Sequence, residues 1–376
     1  MFRKRVLVNA YTHVNLGDDL FLKILFDKFP DTQFTIIGNK KKYQEIFNGY
    51  SVSYISFPTI VSNKFLRRLF SKFFRYQFFK YQFLKKKVFL TSIESEFDAV
   101  VTIGGSIFIE NDIKNSFKFG NHKLIADVFK GKPKFIIGSN FGPYKNESYL
   151  HFFTKLFSTY DDVCFRDQYS KSLFDELNNV RCFPDVVFSG DFESNNKVPQ
   201  TIGISVMDFS RRLTLSKYHD DYIKLVMEIV KSYVVQNYTP YLYSFCEYEG
   251  DERAIDEILN LLDDKYSSQV KKVFYKGDIE SFLESFSKME VMYSSRFHAM
   301  ILSMIYEQQI HPIVYSKKMS DVLEDLSYKG KFTDVKKIEK SIIEVKLANE
   351  DHFFLNNDVK YAADRQFEAL EKYIKS

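Results

Sequence analysis

Short apolar runs that end in Gly, Ser or Asn turns, each followed by a helical stretch, recur along this chain. That alternation restricts it to an α/β architecture. Arg5 to Tyr11 reads as a first strand, Thr12 to Asp19 as a turn, Leu20 to Phe29 as a helix and Phe34 to Gly38 as a second strand. A β-loop-α-β opening predicts a doubly wound parallel sheet. Two later strands end alike: Phe97 to Ile103 runs into Gly104-Gly105-Ser106, and Lys134 to Ile137 runs into Gly138-Ser139-Asn140-Phe141-Gly142-Pro143. Three such turns in one half converge on one sheet edge, where glycine lets a ligand approach the backbone. Asp162 to Phe165 is a further strand; Arg166 after it is either ion-paired within the fold or a clamp for an anion.

At 376 residues the chain exceeds one ordinary core, so two domains are expected. Asp191 to Gln200 is polar and turn-rich and reads as the linker. After it come strands at Ile202–Val206, Tyr241–Phe245 and Val270–Tyr275, alternating with helices at Asp220–Val235, Glu252–Leu262 and Asp278–Phe286. The expected division is an N-terminal Rossmann-like domain over 1–190, a C-terminal one over 200–348, and a charged amphipathic helix within 349–376. Two such domains imply a cleft that encloses a substrate. The first turn lacks GxGxxG, and there is no GxxxxGK[ST].

Within the second series, Met289 to Tyr293 reads as a buried strand and Ala299 to Tyr306 as an apolar helix. Ser294, Ser295, Arg296 and His298 therefore sit where a strand turns into a helix, at the edge where open α/β sheets bind ligands. A serine there can cap the helix, and its first-turn N–H groups attract anions. Arg296 suits a carboxylate or phosphate through its planar fork, and His298 suits proton transfer. The bland alternative is a capped helix with a surface arginine and a half-buried histidine.

Composition excludes several classes. With 45% hydrophobic and 27% charged residues the chain is a folded globular protein. Three cysteines without a CxxC fit reduced thiols in a cytoplasm, and the N-terminal apolar run is too short for a secretory signal. No segment reaches a membrane span, so a soluble or peripheral protein is expected. No His/Cys/Asp group has metal-ligand spacing. Ile60 to Leu90 stands apart: nine Lys and Arg, no acid, and Phe70, Phe74 and Phe78 at helical spacing. It reads as an amphipathic helix for an anionic membrane surface, as a structural helix with a basic rim, or as a nucleic-acid patch, the last without any supporting motif.

The ordered set of signals resembles the polysaccharide pyruvyl transferase family. The matching pieces are Asn15-Leu16-Gly17-Asp18-Asp19, Gly104-Gly105-Ser106, Gly138 to Pro143, Phe165-Arg166-Asp167, Pro184-Asp185, Ser295-Arg296-Phe297-His298-Ala299 and Lys317. The resemblance implies a GT-B-like fold and a pyruvyl group carried from phosphoenolpyruvate, a donor substrate with no further cofactor, to a sugar. The acceptor it implies is a capsule, exopolysaccharide or cell-wall glycan or a polyprenyl-linked precursor. It implies that Arg296 and Arg166 bind the donor anions and that His298 protonates its methylene carbon. Asn15, Gly17, Asp18, Gly104 and Gly105, with Ser106, Ser139 and Asn140, would line the acceptor side in the N-terminal domain. Ser294 and Ser295 complete the substrate-binding set, and Asp185 and Lys317 stand behind it. The basic segment would dock the enzyme on the inner membrane face. The family pattern departs here at two glycines in Gly104-Gly105-Ser106 and at Asn140-Phe141, which bears on the acceptor. Two other functions share the architecture: a glycosyltransferase using a nucleotide sugar, for which Glu247 to Gly250 is the nearest nucleotide signature, and a non-catalytic glycan-binding member.

Overall fold

The computed structural model describes residues 4–38, 40–57, 75–110, 116–212, 214–338, 353 and 355–376. Two compact units divide it. The first comprises Met1–Thr12, Phe21–Val186 and Arg365–Ser376, and the second His13–Leu20 and Val187–Asp364. This is not the simple linear division expected: a short segment near the start clusters with the second unit, and the last residues return to the first.

The first unit holds β1 (Arg5–Ala10), β2 (Gln33–Ile37), β3 (Val52–Ile55), β4 (Ala99–Ile103), β5 (Lys134–Ser139), β6 (Asp162–Phe165) and β7 (Val180–Cys182). They form one parallel sheet in the order β3-β2-β1-β4-β5-β6-β7. β4, β5 and β6 are buried at every position, as strands covered on both faces by helices must be. One face packs on a cluster of phenylalanines, among them Phe108, Phe141, Phe153, Phe157, Phe165 and Phe174. Edge-to-face pairs such as Phe141 with Phe174 fill that layer where a chain without tryptophan needs large apolar rings.

The C-terminal segment is two helices, Asn357–Asp364 and Glu368–Lys375, broken by a tight turn at Arg365–Phe367, rather than the single helix expected from about Asn357 to Ile374. The break delivers Gln366 into the first unit. Its Oε1 accepts from Gly138 N at 3.0 Å, and its Nε2 reaches the carbonyls of Phe165, Phe183 and Pro184 at 3.0, 2.7 and 3.0 Å. A single side chain thus gives the buried Gly138 N its partner and ties the ends of β5 and β6 to the segment that follows β7.

The second unit holds β8 (Val198–Val206), β9 (Thr239–Ser244), β10 (Lys271–Phe274), β11 (Met289–Ser294), β12 (Gln309–Val314) and β13 (Thr333–Asp334). Its parallel sheet has the order β10-β9-β8-β11-β12-β13. The winding direction reverses between β8 and β11, which puts a topological switch point at their C-terminal ends. There Ser294 stands in register with Ser205. β8 begins at Val198, so the end of the expected linker is already strand.

Of the basic aromatic segment, residues 60–74 lie outside the described residues, and the rest belongs to the helix Arg75–Ile93. Among the described residues no helix is long and apolar enough to cross a membrane.

Candidate functional site

At the switch point of the second unit the chain leaves β11 through Ser294, Ser295 and Arg296 and enters the helix Phe297–Ile305. The Oγ of Ser205 accepts from the backbone N–H of both Ser295 (2.9 Å) and Arg296 (3.1 Å), fixing the path of this turn. Ser295 Oγ meets the Tyr222 hydroxyl at 2.9 Å, and that hydroxyl also accepts from Met207 N at 3.1 Å. Ser294 Oγ lies 3.3 Å from Ser303 Oγ inside the packing. Neither serine caps the helix: Arg296 is the N-cap residue and makes no side-chain cap. Ser294 and Ser295 therefore build the turn from within. The first-turn N–H groups of this helix are of the kind that attract anions.

Arg296 is 7% exposed and is not an open clamp. Its guanidinium donates to Glu249 and to Asp251. Both acids come from one short stretch after β9, the tight turn Glu247–Glu249 and the helix Asp251–Leu261. The other carboxylate oxygen of Asp251 accepts from Phe245 N and Cys246 N, each at 3.0 Å. Burial pulls the Asp251 carboxyl upward against Arg296, while the two acids hold Arg296 firmly protonated. Glu249 also receives Arg212 at 2.6 Å. Burial opposes its ionisation, but Arg296, Arg212 and Lys318 prevail and bring it down to about 2.

Two more cations complete this cluster. Lys318 Nζ lies 5.0 Å from the Phe297 ring centre and 5.9 Å from that of Tyr315, and the Arg212 guanidinium is 5.8 Å from the Tyr315 ring. Burial raises the Tyr315 phenol, yet Lys318, Arg212 and Arg296 outweigh it and hold the group below its ordinary value. Arg296, Arg212 and Lys318 thus gather around Glu249 and Tyr315.

His298 is half-buried on the first turn of its helix, and what it faces was not legible from its neighbours in sequence. A Cβ placed on Gly17 would fall 1.8 Å from His298 Nδ1. The imidazole thus rests on the bare backbone of Gly17, in the first turn of the helix Leu16–Lys28. That helix starts four residues earlier than expected, with Asn15 ahead of it: Asn15 Oδ1 accepts from Gly17 N at 3.1 Å, and its carbonyl from Asp19 N at 2.9 Å. Leu16 N donates to Phe245 O at 3.1 Å, and the fully buried Asp19 accepts from the Tyr275 hydroxyl at 2.8 Å. His13 stacks on Tyr248 with ring centres 4.4 Å apart. Asn15, Gly17 and Asp18, expected with the N-terminal domain, therefore cluster with the second unit, and Gly17 stands against His298.

A second cluster lies within the first unit, at the C-terminal ends of β4, β5 and β6. Arg166, 4% exposed, donates to Asp185 at 2.7 Å and to Asn140 Oδ1 at 2.7 Å, and lies 3.5 Å from Ser106 Oγ. Ser106 Oγ donates to the same Asn140 oxygen at 2.9 Å. A Cβ on Gly105 would stand 2.7 Å from the Arg166 guanidinium, so that glycine admits the arginine. Ser139 is fully buried and its hydroxyl donates to the Gly104 carbonyl at 2.7 Å, so it supports the turn from behind. Of the three turns expected on one edge, Gly104-Gly105-Ser106 and Gly138 to Pro143 meet here with Arg166 beside them, while the turn after β1 clusters with the second unit. Of the two readings of Arg166, the ion-paired one describes this arrangement, with Asp185 as its partner.

Lys317 is exposed, whereas Lys318, one residue on, approaches the site. Sequence reading also missed Ser205, Arg212, Glu249, Asp251 and Tyr315. Ser205 carried a signal: like Ser294, it is a polar residue closing an apolar strand. Glu249 was noticed only as part of a loop.

The model of the family described as polysaccharide pyruvyl transferase matches residues 15–317. The amylovoran biosynthesis protein AmsJ of Erwinia amylovora is 23% identical over 270 residues, covering 65% of this chain; the match spans 63% of AmsJ. Solved structures with the same architecture include the UDP-GlcNAc 2-epimerase of Methanocaldococcus jannaschii (TM-score 0.59, 10% identity, 99% of this chain and 100% of that one). S. aureus MnaA solved with UDP (TM-score 0.61, 11% identity, 99% and 97%) and Anabaena HepE in complex with UDP and glucose (0.54, 10%, 98% and 97%) share it too. At such identities the likeness is one of fold, and the fold is GT-B-like.

Proposed function

The chain belongs to the polysaccharide pyruvyl transferase family, and from that premise we propose that it transfers a pyruvyl group from phosphoenolpyruvate to a sugar of a surface polysaccharide or its lipid-linked precursor, closing a pyruvate ketal. The observation that carries this reading is His298 resting on Gly17 at a switch point, two residues after Arg296, around which Arg212 and Lys318 also gather. A polyanionic donor and a proton for an alkene carbon call for those two things side by side. The amylovoran relative suits a polysaccharide acceptor.

In this reading His298 gives a proton to the methylene carbon, making it a methyl group and leaving an oxocarbenium at C2. One sugar hydroxyl adds to C2 and loses its proton to solvent. The C2–O bond to phosphate then breaks, and a second hydroxyl closes the ketal, its proton going to the departing phosphate or solvent. A positioned acid contributes about 10²–10⁴ in rate. Lys318, Arg212 and the first-turn N–H groups of the helix Phe297–Ile305 take the donor anions. Asp251 and Glu249 together anchor Arg296. Glu249, the acid nearest to what a ribose-gripping nucleotide site needs, is committed to two arginines, which weighs against a nucleotide sugar as donor.

The test is thermal unfolding of the protein with phosphoenolpyruvate and, separately, with UDP-, GDP- and CMP-sugars. A ligand at 100 times its Kd adds about 2.7 kcal/mol. Stabilisation by phosphoenolpyruvate that Lys318→Gln and Arg212→Gln weaken is the expected result. A response to a nucleotide sugar alone overturns the proposal.

A further inference from the structure

The helix Arg75–Ile93 presents two different faces. Phe83, Phe89, Leu90 and Ile93 pack into the core against Leu7, Val100 and Phe129. Lys86 also turns inward: its Nζ donates to Asn121 Oδ1 at 3.1 Å and lies 4.7 Å from the Phe57 ring centre, and burial lowers its pKa. On the other side Tyr81, Leu84 and Val88 are 48%, 48% and 69% exposed. Their spacing of three and four residues puts them in one row along the helix. This row holds three of the exposed large apolar side chains among the described residues within eight positions; scattered singly they would be unremarkable, but aligned they form a patch. Lys87 is exposed beside Val88, and Lys85 leans over the Tyr81 ring at 5.1 Å.

Charge decides what covers this row. The sequence has no Asp or Glu between Glu45 and Glu94, while that span carries nine Lys and Arg. A stripe of tyrosine and aliphatic side chains flanked by lysines without a carboxylate matches an anionic lipid surface: the apolar row enters the headgroup boundary and the lysines meet the phosphates. A protein partner covering the same row would find no acid to pair with its own cations. We propose that the outer face of this helix, Tyr81, Leu84 and Val88 with Lys85 and Lys87, docks the protein on an anionic membrane surface. The inference is independent of the reaction assigned above.

Flotation of the full chain with phosphatidylcholine vesicles containing or lacking phosphatidylglycerol tests it. Wild-type protein should float with the anionic vesicles, stay behind with neutral ones, and be released as salt is raised. Leu84→Glu/Val88→Glu should lower the floated fraction at least about tenfold, since burying two carboxylates beside lipid phosphates is unfavourable. Val235→Glu, at an exposed apolar position just past the end of the helix His219–Val234, should float like wild type. Lys85→Gln/Lys87→Gln, which leaves the apolar row intact, should weaken binding to anionic vesicles. Unchanged thermal unfolding of the variants establishes that the fold is kept. Failure of the wild type to float at low salt overturns the proposal, as does undiminished flotation of Leu84→Glu/Val88→Glu. Concentration-dependent self-association or RNA binding without flotation also overturns it.

Discussion

Gly17→Ala separates the stability of this protein from its chemistry. The added methyl would stand 1.8 Å from His298 Nδ1 and 2.6 Å from His298 Cγ, too close to the root of the ring for a small adjustment, so the imidazole must swing away. On the helix itself alanine is favourable over glycine by about 0.5–1 kcal/mol. Displacing His298 costs a comparable amount, about 0.5–1.5 kcal/mol for a side chain forced off its rotamer. Gly17→Ala alone should thus leave urea unfolding nearly unchanged. In a His298→Ala background the obstruction is gone, and the same substitution should stabilise by its full helix contribution. The cycle of wild type, two single variants and the double variant should show a coupling of about 1 kcal/mol. The chemistry should respond oppositely. Gly17→Ala and His298→Ala should each lower phosphate release from phosphoenolpyruvate by about 10²–10⁴, and the double variant should be no worse than either. Additivity of stability within about 0.3 kcal/mol, or a Gly17→Ala enzyme as fast as wild type, would refute the seating of His298 on Gly17 as the source of its orientation.

Two further outcomes test other parts of the site. The Glu249 carboxyl, at about 2 in the fold, lies below its ordinary 4.5, so it contributes stability above about pH 4.5 that is lost as pH falls toward 2; Glu249→Gln should flatten acid-unfolding curves across that window. Asp185→Ala leaves the Arg166 guanidinium, nearly inaccessible to solvent, without its carboxylate and should cost about 3–5 kcal/mol in denaturant unfolding.

Much of this was legible because strands buried on both faces announce themselves as apolar runs, and their Gly- and Ser-rich ends mark the ligand edge. The sequence showed Arg296 and His298 at a strand-to-helix turn, and the Gly104, Asn140 and Arg166 turns on one edge, for that reason. Three things escaped it for physical reasons. Gly17 meets His298 across 281 positions, through a segment that leaves the unit its flanks belong to, and no periodicity records that. Lys318 approaches Phe297 while Lys317, one residue before it, is exposed: a helix turns by about 100° per residue, so the motif position alone does not tell which neighbour faces inward. The ion pairs of Arg296 were hidden because Glu249 and Asp251 stand in an acid-rich turn and helix start that resemble any surface stretch, and nothing in their sequence neighbourhood points to an arginine 45 and 47 positions away.

The return of Arg365–Ser376 to the first unit has a consequence for synthesis. During translation β5 and β6 emerge long before Gln366, and until it arrives Gly138 N and the carbonyls of Phe183 and Pro184 lack its side chain as a partner. Val187–Asp364 of the second unit is made in the interval, so the first unit waits for a segment made after the second. A chain cut after residue 364 would keep every residue of the second unit and leave the first one open. A nonsense codon near the end would therefore harm the half of the protein encoded at the start.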